Sequence, residues 1–85
     1  MNEIELKRDV PLEFDPTLVG SGTGTWVVQN TMPSNDDELY ISQVGGTNIR
    51  TWFRIPSGDS VRFNAKVWLA QTGRNQWIFP AFETA

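Results

Sequence analysis

Cysteine and histidine are both absent from this 85-residue chain. Without cysteine there is no disulfide, no thiolate nucleophile and no sulfur-ligated zinc site. Without histidine the commonest general base and the commonest transition-metal ligand are gone. The longest apolar runs are four or five residues, far below the roughly 20 that a membrane-spanning helix needs. Basic residues are also scarce, seven against ten acidic ones, for a net charge of −3. Nucleic-acid binders usually carry the opposite balance, because phosphate neutralisation supplies much of their affinity. The first residues, Met1-Asn2-Glu3-Ile4-Glu5, are acidic and lack the apolar stretch of a signal peptide. The expectation is a chain with no cofactor, no nucleic acid and no membrane among its partners.

The remaining chemistry is thin. Ser21, Ser34, Ser42, Ser57 and Ser60 have no imidazole to activate them, and no motif joins them to Lys7 or Lys66. Asp36, Asp37 and Glu38 form an acidic run, but in a turn-rich loop their spacing matches no EF-hand, and a solvated loop explains them better than calcium does. Gly22 and Gly24 precede Thr25-Trp26-Val27-Val28, a strand by composition, whereas a phosphate-cradling loop must lead into a helix. No catalytic residue and no metal site is expected.

What the chain does have is short apolar alternation and frequent turns. Thr25–Asn30, Glu38–Val44, Thr47–Ile55, Ser60–Asn64, Lys66–Gln71 and Gln76–Phe82 read as strands. Between them stand Gly45-Gly46, Pro56-Ser57-Gly58-Asp59 and Thr72-Gly73-Arg74-Asn75, all composed for turns. Pro80 marks the last segment as an edge strand or a broken one. No window of eleven residues has helical spacing. The predicted fold is all-β: a small antiparallel sandwich or barrel of about six to eight short strands.

Residues 1–24 differ from the 25–85 body. Pro11 and Pro16 interrupt pairing, and Gly20-Ser21-Gly22-Thr23-Gly24 has linker composition. The segment is expected to be an extended arm with a glycine hinge. Its apolar teeth, Ile4, Leu6, Leu12 and Phe14 among them, cannot form a core alone. They lie either along the chain's own body or on a neighbour, and as candidates for partner binding they stand on the second alternative. A core of this size supplies only ~3–5 kcal/mol, which is one reason to expect life in an assembly.

Two further constellations point to contact surfaces. Alternation over Thr47–Ile55 puts Ile49, Thr51, Phe53 and Ile55 on one face, with Arg50, Trp52 and Arg54 on the other. Arg62, across the Pro56–Asp59 turn, would extend a basic strip, either an electrostatic dock or a set of ordinary exposed cations paired with Asp59, Glu38 or Glu83. Trp52 and Trp68 fall opposite the inward set. They are open to three roles: core packing, a protein interface, or a stacking platform for sugar rings.

The order Trp26-Val27-Val28-Gln29-Asn30, Leu39-Tyr40-Ile41-Ser42, Ile55-Pro56-Ser57-Gly58-Asp59-Ser60-Val61-Arg62-Phe63 and Val67-Trp68-Leu69-Ala70 resembles small bacteriophage virion proteins. The resemblance covers residues 25 to 82. It implies a capsid decoration (cement) subunit, or an accessory subunit of a tail or fibre, made in the host cytoplasm and located in the virion. Its implied partners are further copies of itself, with a trimer favoured, and a larger coat or tail protein. A carbohydrate-binding module and a small monomeric inhibitor of a host protein are the competing expectations.

Overall fold

In the computed structural model, which describes residues 3–18, 24–33 and 38–84, period-2 alternation becomes nine short strands. They are β1 (Ile4–Leu6), β2 (Leu12–Phe14), β3 (Thr25–Gln29), β4 (Leu39–Ser42), β5 (Phe53–Ile55), β6 (Ser60–Phe63), β7 (Val67–Gln71), β8 (Gln76–Ile78) and β9 (Ala81–Thr84). Two single-turn 3-10 helices, Pro16–Leu18 and Ile49–Thr51, are the remaining regular elements among the described residues. The fold is all-β, and every strand pairing is antiparallel.

The strands form a four-stranded sheet ordered β2-β7-β4-β5, a three-stranded sheet ordered β6-β3-β9, and a two-stranded sheet β1-β8. Their inner faces share one core, in which Leu6, Val28, Leu39, Ile55, Leu69 and Ile78 are almost fully buried. An edge-to-face aromatic chain runs through it. Phe14 lies 5.4 Å from Trp26 and 5.8 Å from Phe63, and Trp26 lies 5.7 Å from Phe82, centroid to centroid. Phe63, Val67 and Leu69 point inward as alternation requires, with Val61 half-buried.

The described part of the N-terminal segment packs along its own body. β1 pairs with β8 and β2 pairs with β7, in register Ile4↔Ile78 and Leu12↔Leu69. Gln71, itself buried, donates from Nε2 to the Leu6 carbonyl at 3.0 Å. The radius of gyration is 11.9 Å, close to the ~12 Å expected of a folded globule of this length. β1 and β2 are therefore strands of the body, and the apolar teeth lie along the chain's own body, the first of their two alternatives. Most of the expected glycine hinge, residues 20–23, lies outside the described residues.

The continuous strand expected over Thr47–Ile55 does not form. Gly45 and Gly46 adopt positive φ (73° and 107°) as a tight turn needs, but Ile49–Thr51 then coils into a 3-10 turn closed by Thr51 N–H to the Asn48 carbonyl at 3.0 Å. The physical reason is a second, smaller core. The central strands β4 and β7 are buried on both faces, and Ile49 drops onto Tyr40 and Ala70 with Trp52 packed beside it. Burying Ile49 over that outer face outweighs extending strand β5. At Pro56–Asp59 the turn forms as read, with Gly58 at φ 84°, although the Asp59 N–H to Pro56 carbonyl bond makes Pro56 its first residue and not its second. Pro80 breaks the last segment: β8 and β9 on either side of it belong to different sheets.

Candidate interaction surfaces

The four N-terminal candidates are spoken for. Leu6 and Phe14 are buried in the main core, and Ile4 and Leu12 pack against it half-buried. Their alternation with Glu3, Glu5 and Glu13 is what turns them inward once β8 and β7 supply backbone partners. As contacts for another molecule Leu6 and Phe14 are thereby corrected: their side chains are used within the fold.

Arg54 and Arg62 follow the second of their two readings, exposed cations paired with carboxylates, and not a continuous strip. Arg54 sits on β5 at the edge of the four-stranded sheet, and Arg62 on β6 at the edge of the three-stranded one. Each has its own carboxylate. Arg54 Nη1 lies 3.0 Å from Glu38 Oε1, and Arg62 Nε lies 2.7 Å from Glu83 Oε1. Arg50 lies in the 3-10 turn. The hairpin argument failed because β5 and β6, though joined by a tight turn, belong to different sheets.

Trp52 and Trp68 are both half-buried against their own chain. Trp52 covers the Tyr40–Ile49–Ala70 cluster. The Trp68 ring lies so near Gly45 that an added Cβ would meet it at 3.0 Å, and Lys66 Nζ stands 5.0 Å over it in a cation–π contact. Each indole thus has contacts within its own chain. Asp36 and Asp37 lie outside the described residues, while Glu38 accepts from Arg54 and from the Tyr40 hydroxyl. Among the described residues no three of Asp and Glu gather as a metal site.

Two exposed apolar surfaces stand out, and the sequence pointed only to parts of the first, Trp52 and Arg62. One is a cleft of about 540 Å³ between the two larger sheets. Ile41, Phe63 and Val67 form its floor, while Val44 and Phe53 stand at its mouth, 86% and 66% exposed, with Arg62 on its wall. It opens because the edge strands β5 and β6 diverge from the Pro56–Asp59 turn into separate sheets. Phe53 keeps the inward parity expected of it but lies beyond the end of the core. The other surface is the outer face of the β1–β8 pair. There Trp77 (52% exposed) stands directly opposite Glu5, and Phe79 (43%) follows two residues on. Gln76 and Ile78 take the buried face of that strand. The signal was the Trp77-x-Phe79 alternation, masked because Ile78 makes both faces apolar.

Electrostatics on these surfaces are local. Hydrogen bonds from Arg62 hold the Glu83 carboxyl below the ordinary carboxylate range, and the Thr17 hydroxyl and N–H do the same for Asp15. Burial, then the hydrogen bond to Glu38, raises the Tyr40 phenol above its usual value. The two carboxylates thus contribute stability above their unfolded pKa of about 4, lost as pH falls through the lower folded values. Tyr40 contributes below about pH 10, and that contribution is lost as pH rises through its raised folded value. Denaturation midpoints should be flat in between and fall at both ends. Tyr40 is the only tyrosine, so ultraviolet titration of tyrosinate reads it directly. A Tyr40 that titrates at the free phenol value would contradict this account.

No protein-family model, curated protein or solved structure matches the chain.

Proposed function

We propose that this chain is a non-enzymatic assembly subunit that binds neighbouring protein subunits, and that it serves in a virion as a capsid decoration (cement) protein. One observation carries the binding role. Val44, Phe53, Trp77 and Phe79 are all 43% exposed or more in a chain too small to spare apolar surface from its core. Isolated exposed apolar residues are ordinary, but these come in two grouped sites, which mark contact surfaces. Aromatic residues are the side chains enriched at such contacts.

The virion setting is supported by the strand and turn order of residues 25 to 82. The absence of histidine and cysteine supports a role without catalysis. The sugar-binding alternative has less support, since Trp52 and Trp68 are half-buried against their own chain.

The test is made on particles. Virions purified from cells that carry the gene should contain the chain in many copies, by quantitative mass spectrometry, and antibody labelling should decorate the shell in electron micrographs. A chain absent from purified particles would overturn the proposal. Labelling confined to the tail would move the role from coat to tail.

A further inference from the structure

We infer that the chain associates with further copies of itself head to tail: the acidic aromatic face of the β1–β8 pair in one copy docks into the apolar cleft between β5 and β6 of the next. The inference rests on the assembly reading and names the partner of its two surfaces. The occupant follows from what each surface offers. The cleft is about 540 Å³, within the ~300–1,000 Å³ of binding pockets; its lining is mostly apolar, interrupted by Ser42, Gln43 and Thr51, and Arg62 is the one charged side chain in it. The β1–β8 face presents the matching parts. Trp77 projects from β8 with Phe79 just beyond its end, and Glu5 stands opposite Trp77, with Glu3 two residues before it in the chain.

The charge pairing is specific to atoms. Arg62 binds Glu83 through Nε. Neither of its terminal nitrogens has a partner among the described residues. A guanidinium has five N–H donors, so Arg62 can hold Glu83 and still receive Glu5 or Glu3 from an incoming copy. Trp77 and Phe79 do not line the cleft of their own chain, so the plug and the socket are separate patches. Such a contact is heterologous: it closes into a ring if the rotation allows and otherwise extends as a chain of copies.

The experiment uses two variants at exposed positions, Trp77→Ser (plug lost, socket kept) and Phe53→Ser (socket lost, plug kept). Sedimentation of the full chain should give a mass above the monomer that rises with concentration. Each variant alone should associate roughly 30-fold more weakly or worse, as expected for loss of a central aromatic anchor. Mixed in equal amounts, they should recover one intact contact and form a species of two chains and nothing larger. That recovery also shows that both variants are folded.

A wild-type chain that stays monomeric at every concentration overturns the inference, and so does a mixture that remains monomeric. If the wild type is monomeric but Trp77→Ser abolishes its binding to particles, the face belongs to a coat partner. Self-association is then wrong while the assembly role stands.

Discussion

Replacing Leu6 by alanine should destabilise the fold by about 3 kcal/mol, enough to leave a large part of the chain unfolded at room temperature. Leu6 is fully buried, its strand pairs with β8, and its carbonyl receives the Gln71 amide. Large-to-small changes at such sites cost ~2–5 kcal/mol, because the lost transfer energy adds to that of the cavity left behind. A core of this size supplies only ~3–5 kcal/mol. Val10 in the same segment is 53% exposed, so Val10→Ala should move stability by less than about 0.5 kcal/mol. Urea denaturation of the two variants decides the matter. An unchanged midpoint for Leu6→Ala would mean that β1 is not part of the body, and the segment would again be an arm free to reach a neighbour. The same reasoning changes the meaning of a truncation. Removing residues 1–20 should abolish assembly, but it would do so by unfolding the subunit, so only point changes at Trp77 and Phe53 separate contact from folding.

The sequence carried the strands better than their arrangement. Leu39 and Ile41 face the core and Tyr40 the other way, as alternation alone requires, and Pro80 breaks the last segment where its missing N–H demands it. Local pattern is silent on which sheet a strand joins. β5 and β6 look like one hairpin, yet they lie at the edges of two sheets; that separation parted Arg54 from Arg62 and opened the cleft, while the 3-10 turn took Arg50 off the strand. Residues 4–14 misled for a related reason. Short apolar segments interrupted by Pro11 and Pro16 look like an extended arm until their partners, β8 and β7, arrive from more than fifty residues downstream. Ile49 shows a third limit. Period 2 assigns it to the face of Phe53 and Ile55, but a second apolar patch on the back of the sheet, formed by Tyr40 and Ala70, drew it into a turn instead. Trp77 and Phe79 could be placed outward only once Gln76 and Ile78 were known to be buried.

Asn30→Leu should destabilise the chain by about 2–3 kcal/mol and should weaken self-association more than its distance from the β1–β8 face suggests. Asn30 is fully buried where β3 ends. Its Nδ2 donates to the Ile55 carbonyl at 3.0 Å, its Oδ1 accepts from Met32 N–H at 3.1 Å, and its own N–H and carbonyl bind Asp59 and Gly58 at 2.9 and 2.8 Å. One side chain thus ties the turn end of β5 to the sheet that holds β6. It closes the narrow end of the wedge whose open end is the cleft. Leucine keeps the approximate volume but leaves the buried Ile55 carbonyl without a donor, and an unpaired buried group costs ~1–3 kcal/mol. With that tie gone, β5 and β6 separate further and the cleft loses its shape. Asn30→Asp separates hydrogen bonding from size. A carboxylate there can still accept from Met32 but cannot donate to Ile55, and burial raises its folded pKa above the unfolded value of about 4. Its stabilising form is the protonated acid, present below that unfolded pKa and lost as pH rises through the folded value. Stability of Asn30→Asp relative to wild type should therefore improve on acidification, while Asn30→Leu shows no such recovery. Equal deficits for both variants at every pH would show that the Asn30–Ile55 hydrogen bond does not hold the two sheets together.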